Sequence, residues 1–230
     1  MPRLLDALFG FRKVRGHTFY SKRLNRTSTV VDLGANQGAF SNYVASKYQC
    51  AAFAVEASPA LFARIESTAL VHKYNYAVAS HDGAVAFYES SSIEAGNIIG
   101  PKSNSTGNRI EVPARSFRSL ILELGLQEID LLKIDIEGAE IQMFDTLQDQ
   151  DLLAVNQLTV EFHDAVRIPN VSTREVKRTR DRIVALGFEG VAMGRNNCDW
   201  LFYNDKKLCL PPSAKRYLGF RKQLVRNSED

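Results

Sequence analysis

Four short, almost wholly apolar runs recur along the chain, each carrying or ending on an acid: TVVDLG from Thr29, AAFAVEASP from Ala51, LLKIDIEGAE from Leu131 and QLTVEFH from Gln157. Runs of this length, bounded by turn residues and without polar alternation, are buried strands. Segments with helical signals lie between them. A helix is expected over Ala39 to Lys47, and another from Pro59 to about Ser67, with Ser58 as N-cap and proline in the first turn. FRSLILELGL reads as a helix closed by Gly125, Ala139 to Leu147 as the next, and Ser172-x-x-Glu175 as a capping box opening a basic-faced helix. Strands alternating with helices predict an α/β fold with a doubly wound, mostly parallel sheet. GVAMG and DWLFYN, separated by a few residues, add a C-terminal antiparallel hairpin. In such sheets ligands bind beyond the carboxyl ends of the strands, where the acids lie.

VHKYNYAVAS reads as one further strand, with His81-Asp82-Gly83 turning into AVAFYES and IEVPARS as its later partner. Between them, Ser90 to Arg109 is rich in Ser, Gly and Asn and is read as a long loop, either a lid or a disordered excursion.

The 230 residues suffice for one domain, but the charge is uneven. Residues 1–28 carry seven Lys/Arg against Asp6, and residues 206–230 carry seven against Glu229 and Asp230, which leaves the middle at −8 of a net +3. The expected division is a basic N-terminal extension (1–28), the α/β domain (29–205) and a basic C-terminal tail (206–230). The ends are either solvated or touch anionic lipid, nucleic acid or nucleotide-linked substrates. Leu4, Leu5, Leu8 and Phe9 share one side of a short amphipathic helix that could rest on a membrane surface, followed by an irregular basic stretch. Cys50, Cys198 and Cys209 form no Cys-x-x-Cys pair, and LLDALFGF is too short to span a bilayer, so a cytoplasmic protein is expected, with peripheral membrane contact an option.

Asp32-Leu33-Gly34-Ala35-Asn36-Gln37-Gly38 is a strand-to-helix turn whose glycines and Asn36 allow close backbone approach to a ligand. It departs from G-x-G-x-x-G, and Asp32 would oppose a pyrophosphate while favouring a positive group. Glu56, some twenty residues on, suits the two hydroxyls of a ribose. These acids point to an adenosine ligand with a cationic tail, S-adenosylmethionine, rather than a nicotinamide cofactor.

VVDLGANQGAFS, VEASP and, above all, IDLLKIDIEGAE followed by VEFH resemble the FkbM-type S-adenosylmethionine-dependent methyltransferases over Thr29 to Asn204. The resemblance implies a Rossmann-like class I methyltransferase fold and methylation of a hydroxyl on a sugar, glycolipid or natural-product acceptor. It assigns the cofactor to Asp32, Gly34, Asn36 and Gly38 of the loop, to Glu56 and Ala57 at the ribose, to Asn75 and Ala77 near the adenine, and to Asp135. Tyr76 departs from the acid many related enzymes have there.

An unactivated hydroxyl must lose or share its proton as it takes a methyl group. Asp135 ends one strand, and Glu161 and His163 end its neighbour on a common side, so the three can meet an acceptor, with Glu137 as a further candidate. Either His163 or a carboxylate accepts the proton, histidine being favoured for its near-neutral pKa, or Asp135 and Glu161, with His163, hold magnesium or manganese. Transfer without a metal is preferred. Glu140 reads equally as a helix-start acid. Glu137 could meet Lys133 instead, and His17, His72 and His81 read as surface residues. Lys102, Arg167 and Arg195 are loop cations that could anchor an anionic acceptor. The alternatives are an RNA methyltransferase tracking phosphates with the basic ends, disfavoured by the acidic body, or a non-catalytic binding protein with the same fold.

Overall fold

A computed structural model describes residues 2–90, 96–100, 105–163, 171–194 and 198–226. In chain order these form α1 (Pro2–Leu8), β1 (Phe11–Val14), β2 (His17–Tyr20), β3 (Thr29–Leu33), α2 (Ala39–Tyr48), β4 (Ala51–Val55), α3 (Pro59–Phe62), β5 (Val71–Tyr74), β6 (Ala77–Ala79), β7 (Gly83–Ser90) and β8 (Ser105–Ser116). There follow α4 (Phe117–Glu123), β9 (Leu131–Ile134), α5 (Glu140–Thr146), α6 (Asp149–Leu153), β10 (Gln157–Glu161), α7 (Thr173–Ala185), β11 (Phe188–Ala192), β12 (Asp199–Asn204), α8 (Asp205–Leu208) and α9 (Pro212–Arg226).

The main sheet has seven strands in the order β11-β12-β10-β9-β3-β4-β5. β10, β9, β3, β4 and β5 are parallel, and β12 runs antiparallel to both β10 and β11, as the sequence pattern predicts. All four residues of β9 are buried, because helices cover both faces of the sheet. The caps also agree. Ser58 accepts from the Leu61 amide and Ser116 from that of Ser119, while Ser172 and Glu175 form the reciprocal capping box.

Three readings need correction. The expected third strand divides after Tyr74: β6 leaves the main sheet and joins β8 and β7 in a three-stranded sheet. Asn75 holds the division, its amide donating to the carbonyls of Glu56 and Ala57 at 2.8 and 3.1 Å. The helix after Ser58 stops at Phe62, well before Ser67. The loop read over Ser90 to Arg109 is partly strand, since β8 starts at Ser105 and Asn97 pairs with Tyr88.

The basic ends are folded. The stretch read as irregular after Phe9 is the antiparallel β1–β2 hairpin, all four residues of β2 are buried, and Gln157 bonds both the amide and the carbonyl of Tyr20. From the other end, α9 buries Ala214, Tyr217 and Leu218. Tyr217 stacks on Phe9 at 4.7 Å and donates to Asp6, which Arg221 also meets at 3.0 Å. The hydrophobic face of α1 divides accordingly: Phe9 packs on α9, while Leu4 and Leu8 are exposed. No helix among the described residues is long and apolar enough to cross a membrane.

Candidate active site

β3, β4, β9 and β10 end side by side, and the turns that follow them build the site. Beyond β3, Gly34, Asn36 and Gly38 all have positive φ (77°, 54° and 78°), the conformation that the glycines and asparagine permit. Gly34 is fixed for a second reason: a Cβ there would lie 1.8 Å from the carbonyl oxygen of Asp135, so the two turns are in direct backbone contact.

Glu56 is buried, and its two carboxylate oxygens accept from the amides of Asn36 and Ser58, each at 2.8 Å. Burial raises its pKa, against the pull of those two amides and of Lys133. A cavity opens here over Glu56, Ala57, Tyr76, Ala77, Phe87 and Ile98, and reaches Gly34, Asn36, Asp135 and Glu137. Its apolar end suits an adenine and its acid a ribose. Gly38 starts α2 beside Ile65, and Asn75 acts through the carbonyls it ties rather than on the cavity wall.

Asp32 lies beneath the loop rather than at its surface. It is fully buried, accepts from the Ser41 hydroxyl at 2.6 Å and faces Lys133 Nζ at 3.0 Å. The positive group expected opposite Asp32 is therefore this lysine. Lys133 also lies 3.6 Å from Asp135 and donates to the carbonyl of Gly34 at 2.8 Å. Burial opposes its charge, but Asp32 and Asp135 outweigh that, and its pKa is raised. The lysine thus belongs to Asp32 and Asp135, not to Glu137.

Around Asp135 the strand ends converge as expected. Nε2 of His163 lies 4.0 Å from Asp135, 3.7 Å from Glu137 and 3.9 Å from Glu161. Glu140 does more than start a helix: it is fully buried, and its Oε1 accepts from His163 Nδ1 at 2.9 Å and from the amides of Ile136 and Gly138 at 3.1 Å. His17, read as a surface residue, is buried and donates through Nε2 to Asp135 at 3.2 Å. Lys102, Arg167 and Arg195 lie outside the described residues.

These neighbours act on the pKa of His163. Burial would lower its pKa, but the charge and hydrogen bond of Glu140, then the charges of Glu137 and Asp135, raise it to about 9. This shift favours the protonated ring at neutral pH, a form that donates rather than accepts a proton. Asp135 is the opposite case: burial would raise its pKa, while Lys133, His17 and His163 together hold it well below the usual carboxylate range. The metal reading meets the same charges. Ligand atoms of His17, Asp135 and Glu161 lie within 4.8 Å of one another, as do those of Asp135, Glu137 and His163. The positive groups in contact with these acids are Lys133, 3.6 Å from Asp135, and His163, and among the described residues nothing beyond the spacing of the acids themselves points to magnesium or manganese.

Residues 32–189 match the Methyltransferase FkbM domain. The chain belongs to the FkbM methyltransferase family. It is 25% identical over 164 residues to Methyltransferase 1 of Beauveria bassiana, covering 60% of this chain and 66% of that protein, just under two thirds of its length. It is 24% identical over 196 residues to the 31-O-demethyl-FK506 methyltransferase FkbM of Streptomyces tacrolimicus, covering 69% of this chain and 75% of the relative. Among solved structures, M. capricolum TrmK with S-adenosyl-homocysteine is similar at TM-score 0.44 and 7% identity, over 80% of this chain and 65% of that one. In this FkbM-family chain the glycine turn and the acidic cluster share one cavity, through Gly34, Asn36, Asp135 and Glu137.

Sequence reasoning offers Lys133 only as a partner for Glu137 and His17 as a surface residue, and neither as part of the site. The signal for the first was a lysine inside an otherwise apolar strand, which only a buried counter-charge explains. Glu137 carries its own mark: with φ at 54° it is a non-glycine residue in the left-handed region, 3.7 Å from His163. Glu137→Gly is expected to keep or raise the melting temperature, by up to about 3 °C for about 1 kcal/mol of relieved strain. Turnover should fall at least about tenfold if that carboxylate takes part in proton transfer. Parallel losses of melting temperature and turnover would count against a role in the chemistry.

Proposed function

We propose that the enzyme transfers a methyl group from S-adenosylmethionine to a hydroxyl of a sugar, glycolipid or related small-molecule acceptor. The observation that carries this reading is the convergence of Asp135, Glu137 and Glu161 on His163 next to the glycine turn. Bound in the cavity, S-adenosylmethionine supplies a methyl carbon made electrophilic by its sulfonium. Glu56 holds the ribose, with its oxygens oriented by the amides of Asn36 and Ser58. As the acceptor oxygen bonds to the methyl, the methyl–sulfur bond would break to leave neutral S-adenosylhomocysteine, and the hydroxyl proton would pass to a carboxylate of the cluster, Glu137 or Glu161. His163, protonated and tied to Glu140, keeps these like charges together. Asp135 stays ionised and orients the acceptor hydroxyl.

Calorimetric titration with S-adenosylhomocysteine tests the donor site. Glu56→Gln should weaken binding about tenfold, the worth of a charge-assisted contact. Asp32→Ala would instead disturb the buried lysine. Transfer of labelled methyl to saccharide, lipid and RNA acceptors should succeed with the first two and survive a chelator. Turnover on RNA alone, or its loss with chelator, would overturn the acceptor or the metal-free reading respectively.

A further inference from the structure

A second cavity lies on the other side of the glycine turn. Arg15, Gln37, Phe40 and Lys133 line it, and it shares Gly34, Asn36 and Asp135 with the cavity over Glu56. A ligand whose ribose sits at Glu56 and whose chain crosses Gly34 and Asn36 therefore continues into this second space. Resting on the donor reading above, the geometry points to Arg15 as the partner of the carboxylate at the amino-acid end of S-adenosylmethionine.

Charge selects the residue. Of the two cations on this wall, Lys133 is neutralised by Asp32 and Asp135. Arg15 is exposed and makes no hydrogen bond or ion pair among the described residues. Asp135 repels a carboxylate from its own end of the cavity and so directs it toward Arg15. The first turn of α2 lines the same space through Ala39 and Phe40, with its positive dipole end toward a bound anion.

The backbone supplies an independent reason. Val14 pairs with His17, which makes Arg15-Gly16 a two-residue hairpin turn with φ of 48° and 96°. A turn with both residues left-handed favours Asn-Gly or Asp-Gly, and arginine in its first position is strained. Two residues later, His17 is buried and bonded to Asp135, so the tip of the hairpin is fastened to the reacting end of the site. The N-terminal hairpin, outside the matched family region, would thus complete the donor site.

Arg15→Asn makes the test free of folding loss, because it installs the preferred turn residue while removing the cation. The full-length variant should melt no lower than the parent. Its affinity for S-adenosylhomocysteine should fall about tenfold, as for loss of a charge-assisted ion pair, with Arg15→Lys retaining part of it. Affinity for 5′-methylthioadenosine, which has no carboxylate, should change less than about twofold on the same reasoning. Equal losses for both ligands, or no loss for either, would overturn the role of Arg15 and leave the donor reading standing. No binding of S-adenosylhomocysteine by the parent would overturn both.

Discussion

Replacing Glu140 with alanine is expected to destabilise the fold by about 3–5 kcal/mol at neutral pH, the cost of removing one partner from a buried ion pair. For a chain of this size that lowers the melting temperature by roughly 10 °C. One oxygen of Glu140 serves three donors, the His163 ring and the amides of Ile136 and Gly138, and alanine leaves all three unmet, with His163 and Gly138 buried. The pH dependence identifies the cause. In the parent the folded pKa of His163 is raised to about 9 from an ordinary 6.5. The stability it contributes, on the order of 3 kcal/mol, is fully present below the unfolded pKa and is lost as pH rises through the folded one. Denaturant unfolding from pH 6 to pH 9.5 should show this decline in the parent and a much flatter profile in Glu140→Ala. Glu140→Gln, which still accepts from the two amides, should recover part of the stability and little of the pH dependence. An unchanged profile in Glu140→Ala would mean that another group titrates there.

The parallel core was legible because its rule is local. An apolar run stopped by Gly34, by Ser58-Pro59 or by Gly138 defines a strand and the turn beyond it. What escaped depends on contacts distant in sequence. HTFY is buried on both sides, yet its turn is Arg-Gly rather than the Asn-Gly or Asp-Gly that marks a hairpin, so the signal was lost in a run of basic residues. The same turn departs from preference where it faces the glycine loop, which is how a site can obscure its own secondary structure. For His163 the sequence placed the ring among the acids but carried no sign of what raises its pKa. Glu140, 23 residues earlier, sets its charge, and no spacing rule relates a helix-start acid to the end of the neighbouring strand. Asp32 was likewise seen as a site acid, but its counter-charge is Lys133, which lies on the adjacent strand opposite it in register.

Lys133→Met is the second large effect expected, about 3–5 kcal/mol, because Asp32 would stay fully buried with its counter-ion gone. Methionine fills a similar volume, so the loss reports charge rather than a void. The double variant Lys133→Met/Asp32→Asn removes both charges and is expected to recover most of the stability, since a neutral pair of similar size replaces a buried ion pair at little cost. Catalysis should not recover with it. Lys133 is the largest of the charges that lower the Asp135 pKa, and it also donates to the Gly34 carbonyl beneath the glycine turn. In the double variant the acid limb of the rate profile should therefore move to higher pH, and S-adenosylhomocysteine should bind more weakly, in a protein that melts close to the parent. Recovery of the parental profile would make Lys133 a purely structural counter-ion. A shifted limb on a stable fold would make it the residue that couples the donor turn to the acid of the reacting end.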